Sequence, residues 1–170
     1  MALREIVTVP NDVLRRKAHR IESFDKDLQK TIDDMVETMR EAPGVGLAAP
    51  QIGLLSRLVV IEYEEDDEKE DSPKKLYVLA NPEIVKVSDE TEMGIEGCLS
   101  IPALVGEVER PLEIVVRAQN RRGQPVKIKA SGWLARIFQH EIDHLDGILY
   151  TDRATKVWKP SPEEEKLITD

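Results

Sequence analysis

Between Asp25 and Ala42 the apolar residues Leu28, Ile32, Met35, Val36 and Met39 recur three or four positions apart, with charged residues filling the positions between them. That spacing places them in one stripe along an α-helix, so a helix is expected over 25–42 with one buried face. Asn11 can cap a shorter helix before it, over 12–18. After Pro43-Gly44 the pattern changes to β segments: strands are expected over 58–63, 76–79, 83–87, 106–109, 112–118 and 126–130, with Arg121-Arg122-Gly123 as a turn. The acidic, Pro-containing stretch 64–75 reads as a mobile hairpin loop. Ser131 then caps a second long helix, which runs through Leu134, Ile137, Phe138, Glu141 and Leu145 to a stop at Gly147. Beyond Tyr150 the chain is polar, contains two prolines and shows no strong pattern.

Helix, strands, then helix is an α+β order, and the expected architecture is antiparallel or mixed β-sheets wrapped around a central C-terminal helix. The 170 residues, 41% of them hydrophobic, supply one core, so one domain is expected over 1–153 with a polar tail over 154–170. Aromatics are 4%, which leaves that core to Leu, Ile, Val and Ala. The net charge of −9 argues against a nucleic-acid binder that works by neutralising phosphates, and makes peptides and small molecules the better partners. No apolar stretch approaches the ~18 residues of a membrane span, and MALREIVTVP has no apolar run behind its Arg, so the expected location is the cytoplasm. Cys98 is the single cysteine and cannot form an internal disulfide.

The chemistry concentrates in His140-Glu141-Ile142-Asp143-His144. Histidines four apart on a helix project from one face and can hold one metal ion, and Glu141 is displaced around the helix but within reach of a water at that ion. A catalytic site of this kind needs a third protein ligand and an open position. No histidine follows His144, and His19 in the first helix reads as an exposed or capping residue. Cys98, in Glu96-Gly97-Cys98-Leu99-Ser100 at the end of a strand, is the better third ligand, giving a Cys-His-His set. On ligand softness alone such a set suits Zn²⁺, Fe²⁺, Ni²⁺ or Co²⁺.

The three stretches GVGLAAPQIG, EGCLS and QHEIDH, in that order, resemble the three motifs of the peptide deformylase family, and the resemblance runs from about Ile6 to Arg153. It implies a metal-dependent hydrolase that removes the N-formyl group from the formyl-methionine of nascent chains and releases formate, with Fe²⁺ as the working ion and zinc less active. It further implies that Cys98, His140 and His144 hold the metal and that Glu141 is the general base. Gln51, through its side-chain amide, and the backbone N–H of Leu99 would bind the formyl oxygen, and Gly46 would offer backbone contacts to the peptide. The methionine pocket would involve Val45, Glu96, Trp133, Ile137 and His140, and Arg110 would hold the peptide backbone. Trp133 and Arg136 depart from the aliphatic residues frequent in the family; apart from the pocket, they read as core packing and as a solvated charge. Transient association with the ribosome is implied, although the acidic Ser161-Pro162-Glu163-Glu164-Glu165 does not suit docking through a basic C-terminal helix. The competing readings are a general zinc protease and a non-catalytic metal- or peptide-binding module.

Overall fold

The computed structural model describes residues 2–42, 44–64 and 74–165. The first long helix, α1 (Lys26–Glu41), is capped by Asp25, whose side chain accepts from Leu28 N–H, and it buries Ile32, Met35, Val36 and Met39 as their spacing requires. Strands β1 (Gly46–Ala48), β2 (Leu58–Glu64) and β3 (Lys74–Val87) follow, then β4 (Thr91–Cys98), β5 (Ile101–Pro111), β6 (Glu113–Gln119) and β7 (Pro125–Ser131). The second long helix is α2 (Gly132–Leu145), and after it come the short α3 (Tyr150–Arg153), β8 (Lys156–Trp158) and the single turn α4 (Pro162–Glu165).

The strands form two antiparallel sheets, one of five strands in the order β1-β2-β3-β6-β7 and one of three in the order β4-β5-β8. Alternation along β2 explains the layering: Leu58 and Val60 face α1, joining Ile32, Met35 and Met39, while Val59 and Ile61 face the other way, joining Phe138, Ile142 and Leu145 of α2. A third cluster, with Leu14, Cys98, Val108, Leu149 and Tyr150, fills the space beside β4 and β5. Helix α2 therefore lies at the centre, between the sheets, and the α+β expectation holds.

Several local expectations are corrected. The helix expected over 12–18 is a single 3-10 turn, Asp12–Arg15, capped by Asn11 as expected. It ends there because Ala18 N–H bonds Leu145 O and His19 pairs with Leu55 and Arg57, so tertiary backbone bonds replace helical ones. His19 itself is exposed. The strands expected over 76–79 and 83–87 are one strand, with an irregularity between Ala80 and Glu83 where Asn81 takes a positive φ of 51° and exchanges two hydrogen bonds with Ile21. Of the hairpin loop expected over 64–75, Glu64 and Lys74 pair across β2 and β3, while 65–73 lie outside the described residues. Ser131 sits at the cap of α2 without a side-chain capping bond; the turn is made at Gly132, with φ 60°, whose N–H bonds Leu112 O. The polar tail contributes β8, which pairs with Val105–Glu107 of β5.

Candidate active site

Helical periodicity brings His140 and His144 to the same side of α2, and β4 ends by delivering Cys98 to meet them. The ligand atoms of these three residues all lie within 4.8 Å of one another, with Cys98 Sγ 3.4 Å from His144 Nε2. All three are buried, at 6%, 6% and 1% exposure for Cys98, His140 and His144. Burial, with a smaller contribution from the neighbouring His140 and Arg110, holds His144 well below the ordinary histidine pKa, which favours the neutral ring that offers a lone pair. A thiol and two imidazoles converging from two separate elements, three donors and not four among the described residues, fit a divalent metal with one position left open.

His140 is oriented from behind. Its Nδ1 lies 2.9 Å from Glu96 Oε1, which directs Nε2 toward Cys98 and His144. Arg110 donates Nε to Oε2 and NH2 to Oε1 of Glu96 in a two-pronged pair, and its NH1 donates to Asp143, which also takes two bonds from Arg153. Burial pushes the Glu96 carboxyl up, but the donors Arg110 and His140 outweigh it and hold the group far below the usual carboxylate range. Arg110, at 3% exposure, pairs with two internal carboxylates, those of Glu96 and Asp143. Glu96, expected in the pocket wall, has its carboxylate engaged by these partners.

Glu141 is 1% exposed, with Oε1 3.8 Å from His144 Nε2. Its side chain runs against Gly46 of β1 so closely that a Cβ there would meet Glu141 Oε2 at 2.5 Å. Gln51 is held in the 3-10 turn Ala49–Ile52, which follows β1 and closes at Gly53 with φ 82°. Its Oε1 accepts from Ala48 N–H, which aims Nε2 at Cys98 Sγ, 3.6 Å away, and at Ser100 Oγ, 3.2 Å away. Leu99 follows Cys98 in the turn between β4 and β5. The loop rich in Gly and Ala is therefore a short strand and turn that set Gly46 against Glu141 and Gln51 beside Cys98.

Val45 and Trp133 are half-buried and Ile137 is buried, all packed on the α2 core cluster. Trp133 also lines a groove of about 350 Å³ with Tyr63, Tyr77 and Leu134. Arg136, read as either pocket or solvated charge, is 5% exposed and bound to Glu96, a correction of the solvated reading. Sequence reasoning missed Asp143 as the partner of Arg110 and Tyr150 as a ring stacked on His140, with centroids 6.0 Å apart. No sequence signal marks Tyr150; Asp143 lay within the histidine motif, but its partner is 33 residues away.

The chain matches the polypeptide deformylase family model over residues 3–159, which takes in both ligand elements and β8. The peptide deformylase of Symbiobacterium thermophilum is 51% identical over 166 residues, 98% of this chain and 73% of that protein. That of Natranaerobius thermophilus is 47% identical over 159 residues, 94% of this chain and 97% of that protein. The crystal structure of peptide deformylase from Thermotoga maritima superposes with a TM-score of 0.82 at 41% identity, covering 92% of this chain and 100% of that one. The structure from Ehrlichia chaffeensis in complex with actinonin gives a TM-score of 0.85 at 40% identity, covering 92% and 91%. Likeness of this extent, carried on a fold whose central helix and β4 converge on a three-donor cluster, means that the chain belongs to the peptide deformylase family.

Proposed function

We propose that this chain hydrolyses the N-formyl group of formyl-methionyl peptides, releasing formate and a free N-terminus. The observation that carries the reading is the convergence of Cys98, His140 and His144 beside a buried Glu141 that is not needed as a ligand. A divalent ion held by these three residues would supply Lewis acidity, acidifying water and stabilising negative charge. Fe²⁺ is the working ion by family resemblance, and Zn²⁺, Ni²⁺ and Co²⁺ suit the same donors.

The remaining work falls to side chains and backbone. Glu141 accepts a proton from the water whose oxygen adds to the formyl carbon, and returns it to the nitrogen as the C–N bond breaks. Gln51 Nε2 and the Leu99 N–H donate to the formyl oxygen as it gains negative charge. Support for Gln51 comes from its fixed rotamer, since Ala48 N–H holds the amide oxygen and leaves the nitrogen beside Cys98. β1 and β4 are both edge strands, and a peptide added between them would be held by backbone bonds that tolerate any sequence beyond the methionine. Gly46 offers such bonds, and Arg110 would hold the peptide backbone; Val45, Glu96, Trp133, Ile137 and His140 wall the methionine pocket.

The substrates are nascent chains met transiently at the ribosome in the cytoplasm, without direct nucleic-acid or membrane binding. Among the described residues no helix is long and apolar enough to cross a membrane. A formate-release assay on formyl-Met-Ala-Ser, run beside the unformylated peptide and casein, tests the reading. Formate from the first with no cleavage of the others supports it; casein cleavage would favour a general protease, and inactivity of the metal-loaded protein toward all three a binding module.

A further inference from the structure

Gly94, Glu96 and Cys98 stand at alternate positions of β4, and Arg136, His140 and His144 recur every fourth residue on α2. Four residues of strand span about 13 Å and eight of helix about 12 Å, so the two rows keep pace. They meet as three rungs, even though β4 carries an irregularity between Glu96 and Cys98. Cys98 Sγ lies 3.4 Å from His144 Nε2, and Glu96 Oε1 lies 2.9 Å from His140 Nδ1. In the third rung Gly94 faces Arg136, and a Cβ at Gly94 would fall 2.6 Å from the guanidinium carbon. The first two rungs belong to the site already described.

Arg136 fills the space that a side chain at position 94 would take. Its NH1 donates to Glu96 Oε2 at 2.7 Å and to Val108 O at 2.9 Å, and its NH2 donates to Glu92 O at 2.6 Å. Gly94 pairs with Val108 across β4 and β5, so both carbonyls flank the bare glycine. The Trp133 ring lies 5.8 Å from the guanidinium on the helix side. Neutralising Glu96 does not call for Arg136, because Arg110 already contacts both carboxylate oxygens. What Arg136 adds is a tie from α2 to β4 and β5, one turn before His140, that ends on the carboxylate orienting that ring. Burying a guanidinium is costly unless pairing and hydrogen bonds offset the lost water, and here they do.

We propose that Arg136 is a positioning residue: seated over Gly94, it sets where α2 lies along β4 and, through Glu96, fixes His140 so that His140 and His144 meet Cys98 around one metal ion. The proposal rests on the metal-centre reading above.

The test uses the full chain loaded with Zn²⁺ or Co²⁺, measuring the zinc dissociation constant by chelator competition and the absorption bands of the cobalt form. Arg136→Met should weaken zinc binding by about 10–100-fold, as loss of a residue supporting a ligand does, and should shift the cobalt bands. Gly94→Ala keeps every charge but pushes the guanidinium off its seat, so it should change both readouts in the same direction. The double variant should bind zinc no more weakly than Arg136→Met, because the group that the methyl displaces is already gone. Wild-type zinc affinity and cobalt bands in Arg136→Met, or additive losses in the double variant, would overturn the proposal and leave Arg136 a packing residue. Should Arg136→Met not fold, Gly94→Ala decides alone, and unchanged readouts there overturn the proposal. Failure of the wild-type chain to bind one zinc, or its retention by Cys98→Ala, takes the metal-centre reading down with it; tight wild-type binding with an unaffected Arg136→Met rejects only the role of Arg136.

Discussion

Gly46 of β1 leaves room for Glu141 of α2: a Cβ at position 46 would lie 2.5 Å from Oε2 and 2.9 Å from both Cδ and Cγ. The strand that would hold the peptide and the group that would move the proton are therefore in direct contact. Gly46→Ala should displace the carboxylate without touching a metal ligand, lowering kcat by about 10–100-fold, short of the full value of a general acid–base group. Steady-state kinetics beside elemental analysis check this. Wild-type kcat with the alanine in place would show that Glu141 has slack the structure does not suggest.

Removing the carboxylate altogether should be worse. Glu141→Ala leaves Cys98, His140 and His144 in place, so the metal should stay while kcat falls at least a hundredfold, within the roughly 10²–10⁴ range of acid–base groups. Activity within about tenfold of wild type would sink the proton-transfer role, and loss of metal together with activity would make Glu141 a ligand.

Cys98→Ala should strip the metal and lower the melting temperature, because the proposed ligand bonds would tie β4 to α2. Melting curves with and without a chelator read both effects: the chelator should lower Tm of the wild type and leave that of the variant unmoved. A variant with full metal content would remove Cys98 from the site.

Truncation after Arg153 should separate stability from chemistry. It removes β8, which covers Val105–Glu107 on the edge of β5, yet no proposed catalytic residue lies beyond that point. Tm should fall, while kcat/KM on a short formylated peptide should stay within about tenfold, or ~1.4 kcal/mol. A larger loss would mean that β8 supports the site through β5.

Asp34 in α1 is fully buried and ties the N-terminal segment down, accepting from Ala2 N–H at 2.7 Å and from Arg4 Nε at 3.0 Å. The bond from Ala2 N–H, joined by Arg4, holds its pKa below the ordinary 3.8. A depressed carboxylate adds stability that is fully present above the unfolded value and is lost as pH falls through the folded one. Asp34→Asn should therefore be less stable than wild type at neutral pH, with the gap closing below about pH 3.8. Urea unfolding at a series of pH values measures the gap, and a gap independent of pH would assign the effect to shape rather than charge.

Much of the molecule was legible in the chain itself. The four-residue interval between His140 and His144 puts two imidazoles on one side of a helix whatever surrounds it, and the stripe from Leu28 to Met39 needs only its own spacing to declare a buried face. Alternation likewise marked most strands, and β6 and β7 match their expected spans within a residue or two. Periodicity of this kind is set by local geometry. It says which side of an element is buried, but not against what.

The remainder required the assembled fold. The segment 12–18 has the makings of a helix and yields after Arg15 because Leu145, distant in sequence, takes the backbone bond of Ala18, and Leu55 and Arg57 take those of His19 next to it. β1 and β8 are too short to show a pattern and exist as partners of β2 and β5. Arg136 reads as a solvated charge until Glu96, two strand carbonyls and the missing side chain of Gly94 surround it. A buried charge is tolerated only where remote groups complete its bonds, and no local pattern records where those groups will come from. The residue types of the proposed metal centre were thus written in the sequence, whereas the network that orients them was decided by tertiary packing.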